Sequence, residues 1–190
     1  MLGPLDALPH PPRRVLIAGV AGAGKSTLAR RLSRILQLPY TEIDSLYHGP
    51  DWTALPTFEA DVERLTSEPA WVSEWQYHVV RPLLAERADT LVWLDLPFRT
   101  VLRRVVWRTV TRRVTRKRLW SGNVEGPLST FFTDRDNIIR WSIRTRRDPA
   151  RDCTRAAREH PHLQVVRLRS PRDVEQFVFA AGTHRADALG

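Results

Sequence analysis

The sequence predicts an α/β fold with a mainly parallel sheet, and three observations predict it. Short apolar, often β-branched runs alternate with helical stretches along the chain. The first run, RVLIAGV at 14–20, passes through a glycine-rich turn straight into an amphipathic helix. The chain has 190 residues, 42% hydrophobic and 27% charged, which suits one domain with a real core.

The elements follow in order. The 14–20 run is apolar on both faces, as a buried parallel strand requires. The next stretch places Leu28, Leu32, Ile35 and Leu36 on one helical face with arginines opposite, and Pro39 ends it. PYTEI (39–43) is expected to form a second strand, followed by a polar loop. FEADVERLT (58–66) fits a helix, AWVSEW (70–75) a third strand, and HVVRPLLAERA (78–88) a helix with an internal proline. TLVWLDL (90–96) is a fourth strand, and a long basic helix starts near Phe98. Two more helical stretches lead to a fifth strand, LQVVRLR (163–169), and a closing helix with Ser170 as its N-cap. The domain is expected to span 14–182, between a flexible Pro-rich leader (1–13) and a flexible tail (183–190). The stretch at about 111–130 is poor in apolar residues and reads as a lid.

No apolar run approaches the roughly 18–20 residues that span a bilayer, and the leader lacks the pattern of a signal peptide. A single cysteine, Cys153, excludes an internal disulfide and suits the cytoplasm. The net charge of +9 points to anionic partners, but 28 of the 30 basic residues are arginine, so composition bias contributes. No helix-turn-helix or zinc finger is visible, so any nucleic-acid binding is expected to be weak and non-specific. The six histidines and Cys153 show no zinc-ligand spacing.

Gly19-Val20-Ala21-Gly22-Ala23-Gly24-Lys25-Ser26 matches G-x-x-x-x-G-K-[ST] between a predicted strand and a predicted helix. Glycines let consecutive N–H groups converge on phosphate oxygens, and the helix N-terminus adds its positive dipole end. Gly19, Gly22, Ala23, Gly24, Lys25, Ser26 and Thr27 are therefore expected to bind ATP, with Lys25 on the β- and γ-phosphates and Ser26 on Mg²⁺.

The P-loop, IDSLYHGPDW (43–52), WVSEWQY (71–77), LVWLDLP (91–97) with its Arg-rich helix, and LWSGNVE (119–125) occur in this order. Together they resemble the small P-loop proteins called DNA topology modulation protein-like or adenylate kinase-like, over roughly Arg14 to Arg169. The resemblance implies a P-loop NTPase fold of nucleoside monophosphate kinase type: a five-stranded, mainly parallel sheet flanked by helices, with an Arg-rich lid. It implies an ATP- and Mg-dependent kinase acting on a nucleotide or another small hydroxylated or phosphorylated acceptor. It also implies that Ser170 and Pro171 pack against adenine. One departure stands out: Glu74-Trp75-Gln76-Tyr77 replaces an Asp-Gly-Asn-Tyr pattern. Two other readings stay open, a nucleic-acid-associated NTPase modulating DNA topology and a nucleotide-binding regulator with slow hydrolysis.

Around the phosphates, Asp44 is the candidate base at the end of the second strand, with an Asx-turn role as the alternative. Glu74 is the candidate for magnesium, ahead of Asp95, whose Asp-Leu-Pro context fits a structural turn. Arg104, Arg108, Arg112 and Arg116 recur every four residues on one helical face. Arg108 and Arg112 are the candidates for transition-state contacts and Arg116 for the nucleotide; a solvated basic face accounts for most other arginines there. Tyr47, His48 and Trp52 are placed to line an acceptor pocket, with Arg140 and Arg144 as weaker acceptor contacts.

Overall fold

The run at 14–19 becomes β1 (Arg14–Gly19), with Val15 to Ala18 buried on both faces. The structure is a computed structural model and describes residues 1–114 and 148–187. β2 (Trp71–Glu74) and β3 (Thr90–Leu94) flank β1, and β4 (Gln164–Leu168) lies beyond β3. All three pairings are parallel, with Ile17 opposite both Glu74 and Val92. Because side chains alternate along a strand, β1 feeds two cores. Val15 and Ile17 pack with α1 (Lys25–Leu36), α5 (Phe98–Val114) and the last helix, α7 (Pro171–Asp187). Leu16 and Ala18 pack with α3 (Phe58–Ser67), α4 (Arg81–Arg87) and α6 (Asp148–Glu159). Trp71 and Trp93 are core residues of this second layer.

Several expectations need correction. The sheet has four strands among the described residues, not five. PYTEI runs beside β2, but only Tyr40 pairs, as an isolated bridge to Val72. Pro39 offers no N–H, and a short helix, α2 (Ile43–Tyr47), begins too soon for a ladder to form. The proline in the 78–88 stretch is not internal: α4 begins at Arg81, so Pro82 sits in the first turn, where no N–H is needed. The leader is docked rather than loose. The Leu2 N–H donates to Val165 O (2.7 Å) and its carbonyl accepts from Arg167 N (2.8 Å), while Leu2 and Leu8 pack on the first core. The chain stays helical to Asp187, past the expected start of the tail. The lid at about 111–130 lies almost wholly outside the described residues. No helix among the described residues is long and apolar enough to cross a membrane.

Candidate active site

The turn from β1 into α1 is built by backbone conformations that favour glycine. Gly19, Gly22 and Gly24 have φ of 150°, 80° and 104°, and the loop is closed by the Ala23 N–H on Val20 O at 3.1 Å. Lys25 Nζ donates to Gly19 O (3.0 Å) and Val20 O (3.4 Å), so the ammonium lies over the loop. Ser26 and Thr27 open the helix directly behind it. Left-handed glycines, a lysine and a serine hydroxyl at one helix start are the donor set that a triphosphate with Mg²⁺ requires.

A groove of about 430 Å³ runs from this loop, lined among the described residues by Gly22, Gly24, Thr27, Arg104, Pro171 and their neighbours. Pro171 lines the groove. Ser170 is the N-cap of α7, as its sequence position predicts: its Oγ accepts from Asp173 N at 3.1 Å and donates to Asp173 Oδ1 at 2.5 Å. These bonds, with one from Arg169 N, hold the Asp173 carboxyl below the usual carboxylate range. α5 is seated on the loop itself. Arg104 Nη1 donates to Ala23 O at 3.0 Å, and a Cβ on Gly22 would meet Val105 Cγ2 at 2.1 Å. The four-residue arginine series thus begins on the P-loop side with Arg104, which its spacing alone did not single out. The side chains of Arg108 and Arg112 lie outside the described residues, as do Arg116, Arg140 and Arg144 altogether.

On the acceptor side, Asp44 lies in the first turn of α2 rather than at a strand end. Its Oδ1 accepts from Tyr77 Oη (2.6 Å) and Gln76 Nε2 (3.0 Å). Burial, and then the Asp44 charge, raise the Tyr77 phenol and keep its proton on that bond. His48 Nε2 stands 3.3 Å from Tyr77 Oη; with the phenolic proton committed to Asp44, the imidazole is the donor there. Burial lowers the His48 pKa. Tyr47 stacks on Tyr77 at 4.2 Å, Phe58 meets both rings edge-on, and Trp52 meets His48. The predicted Asp44, Tyr47, His48 and Trp52 therefore come together, joined by Gln76, Tyr77 and Phe58. Trp75 points away into the second core, its Nε1 donating to Arg81 O at 3.1 Å.

Of the two candidate carboxylates for magnesium, Glu74 is closed off, whereas Asp95 is partly exposed and engaged at one oxygen. Glu74 is 1% exposed and accepts from Tyr40 Oη (2.6 Å) and Ile43 N (3.0 Å). Asp95 is held by Arg167, with Nε at 2.9 Å, and Arg167 lies over the Trp93 ring. No group of three or more His, Cys, Asp or Glu side chains among the described residues could hold a metal unaided. Sequence reasoning missed Tyr40, which stands at no motif position.

Fold and loop together define the architecture: a parallel sheet with a P-loop after its first strand, the fold shared with small P-loop kinases. Across solved structures, a gluconokinase from Sinorhizobium meliloti 1021 superposes with a TM-score of 0.51 at 21% identity, over 94% of this chain and 95% of the other. A shikimate kinase of Bradyrhizobium diazoefficiens is 24% identical over 172 residues, which is 81% of this chain and 76% of the relative. A bifunctional pantoate ligase/cytidylate kinase of a Synechococcus strain is 48% identical over 54 residues, 27% of this chain and only 10% of the relative. No family model matches the chain. The similarity is thus to small-molecule and nucleotide kinases, and these comparisons lend the DNA topology name no support.

Proposed function

We propose that the chain is an ATP- and Mg²⁺-dependent phosphotransferase acting on a hydroxyl of a small acceptor held at Asp44. One observation carries this. β1 and β2 are neighbours, and their carboxyl ends bring the P-loop and the Asp44–Gln76–Tyr77 cluster to one edge of the sheet, where open α/β folds bind ligands. Lys25 and the loop backbone would grip the β- and γ-phosphates, and Ser26 would hold Mg²⁺, whose contribution is to offset charge on the transferring phosphoryl group. Tyr77 and Gln76 both engage Oδ1 of Asp44, which orients the carboxylate and leaves Oδ2 to accept the acceptor's hydroxyl proton. The aromatic rings around it would exclude water, the competing acceptor. From their four-residue spacing in the sequence, we assign Arg108, Arg112 and Arg116 to closing over the phosphates. The likeness to a gluconokinase and a shikimate kinase supports a polyhydroxylated acid as the acceptor class. A cytoplasmic setting, where ATP is supplied, fits the single buried thiol.

A coupled ADP-release screen over nucleoside monophosphates, sugar acids and cyclic hydroxy acids, with water as the control, tests the reading. Acceptor-dependent ADP release well above the water rate is expected for one chemical class. ADP release at the water rate with every acceptor would favour the slow-hydrolysing regulator instead.

A further inference from the structure

Backbone strain gathers on the acceptor side of the molecule. Among the described residues, four that are not glycine have a left-handed backbone: Gln37, Asp51, Trp52 and Tyr77. Gln37 is the C-cap of α1, an ordinary place for that conformation. The other three belong to the acceptor cluster. Tyr77 (φ 58°) binds Asp44, while Asp51 (φ 53°) and Trp52 (φ 59°) sit at the tip of the loop that follows His48. Two consecutive left-handed residues are costly, and an indole has none of the freedom of the glycine or asparagine that such a turn favours. Strain of this kind persists only where the surroundings over-determine it, and it clusters at functional sites. We propose that Trp52 is a specificity-determining residue, its indole held out near Asp44 as a platform for the C–H face of a ring-shaped polyol acceptor, a role that rests on the kinase reading above.

The loop is pinned at its neck and at its tip. Leu55 N donates to Tyr47 O (2.9 Å), His48 and Ala54 form an antiparallel bridge, and Gly49 N donates to Thr53 O (2.8 Å). At the tip, the Thr53 N–H and hydroxyl both donate to Pro50 O, at 3.1 and 2.7 Å. These bonds fix Trp52 relative to His48, whose ring lies 5.2 Å away at an interplanar angle of 84°. His48 Nε2 in turn meets Tyr77 Oη (3.3 Å), and that hydroxyl donates to Asp44 Oδ1 (2.6 Å). An unbroken row of contacts thus joins the indole to the base. The indole is nonetheless not core: Trp52 is 40% exposed, whereas Trp71, Trp75 and Trp93 are buried. A large apolar ring in water, at the end of a row of hydrogen-bonding groups, suits a ligand with one apolar face and a polar rim. A cyclic polyol has that shape, since its C–H bonds line the ring faces and its hydroxyls point outward. An open-chain polyol has no lasting apolar face and loses more rotational freedom on binding.

The test is steady-state ADP release by the full chain, with shikimate and inositol as ring probes, gluconate as the open-chain probe and cytidine monophosphate as the nucleotide probe. The wild type should prefer a ring probe. Trp52→Gly relieves the left-handed backbone while removing the indole. It should raise the KM for that probe about tenfold, the scale of a lost apolar pocket contact, with kcat and the KM for ATP within about twofold. Its melting temperature should stay close to that of the wild type, because relief of strain offsets the lost contact with His48. Trp52→Asn, which also tolerates the left-handed conformation, gives a second route and should behave alike. Trp52→Phe should restore most of the affinity for the ring probe. A wild-type preference for gluconate or cytidine monophosphate, or a ring-probe KM unchanged in either truncated variant, overturns the platform and leaves the kinase reading standing. So does a fall in stability that raises the KM values for acceptor and ATP together, since that is the mark of a merely structural residue. ADP release at the water rate across these probes and the wider acceptor screen overturns the kinase reading, and the platform with it.

Discussion

Lys25 and Asp44 stand on opposite sides of the group to be transferred, and the structure gives them different kinds of support. Lys25 rests on two loop carbonyls and contributes nothing to either core, so Lys25→Ala should melt like the wild type. Its phosphoryl transfer should fall by ~10²–10³ or more, as when a charge-stabilising donor is removed. Asp44→Asn should retain an oxygen for Tyr77 and Gln76 but lose the base, lowering kcat by ~10²–10⁴ with little change in the KM for ATP. Steady-state kinetics on the acceptor found by the screen separates the two. Wild-type turnover in the Asp44→Asn variant would reduce Asp44 to a prop for Tyr77. The P-loop was legible because its chemistry is local: one unbroken motif carries both backbone shape and charge. The partners of Asp44 were not. Tyr77 reaches it through a left-handed backbone, φ 58°, that no rule assigns to a tyrosine. Glu74 was read as facing metal, whereas its environment is set by Tyr40, 34 positions away.

At the scale of elements, α5 is seated on the P-loop through packing and one hydrogen bond. Val101 and Val105 are fully buried in the first core, and Val105 fills the space a Gly22 side chain would need. Arg104 adds a hydrogen bond to the loop. The first two turns of α5 are thus packed directly onto the loop. Gly22→Ala should cost about 1–3 kcal/mol through overpacking and roughly 1–2 more for a Cβ at φ 80°. It should weaken ATP binding by tilting α5 off the loop, and adding Val105→Ala should recover part of both losses. Thermal melts with parallel ATP titrations read the pair, and a single variant as stable as the wild type would unseat α5 from this role. The sequence periodicity placed Arg104 on the arginine face without saying what that face meets, and Gly22 was assigned to phosphate approach alone. Its packing role depends on a helix far downstream in the chain, which local pattern cannot show.

Across the whole molecule, the sheet is narrow, and both of its edges are covered by the same device. At one edge residues 39–43 lie along β2 with a single bridge at Tyr40; at the other the leader lies along β4 with a single bridge at Leu2. Parallel edge strands with unpaired N–H and C=O groups template association with other chains, and a short, Pro-interrupted cover blocks this without extending the sheet. The leader read as mobile because it has no periodicity and three prolines within residues 9–12, and those features do not report the two backbone bonds that dock it. Those bonds contribute ~0.5–1.5 kcal/mol each, and the partial burial of Leu2 and Leu8 adds about 1 kcal/mol apiece. Ordering the segment offsets much of this, so deleting residues 2–8 should lower stability by only about 1–2 kcal/mol. The larger effect should be on association. With Val165 O and Arg167 N bared, the shortened chain should form oligomers whose fraction rises with protein concentration, while ATP binding at the carboxyl ends of the strands persists. Urea denaturation and light scattering over a concentration series read the two effects separately. If the shortened chain keeps the wild-type midpoint and scattering, the leader is a passenger on β4 and the edge must be protected by its own residues.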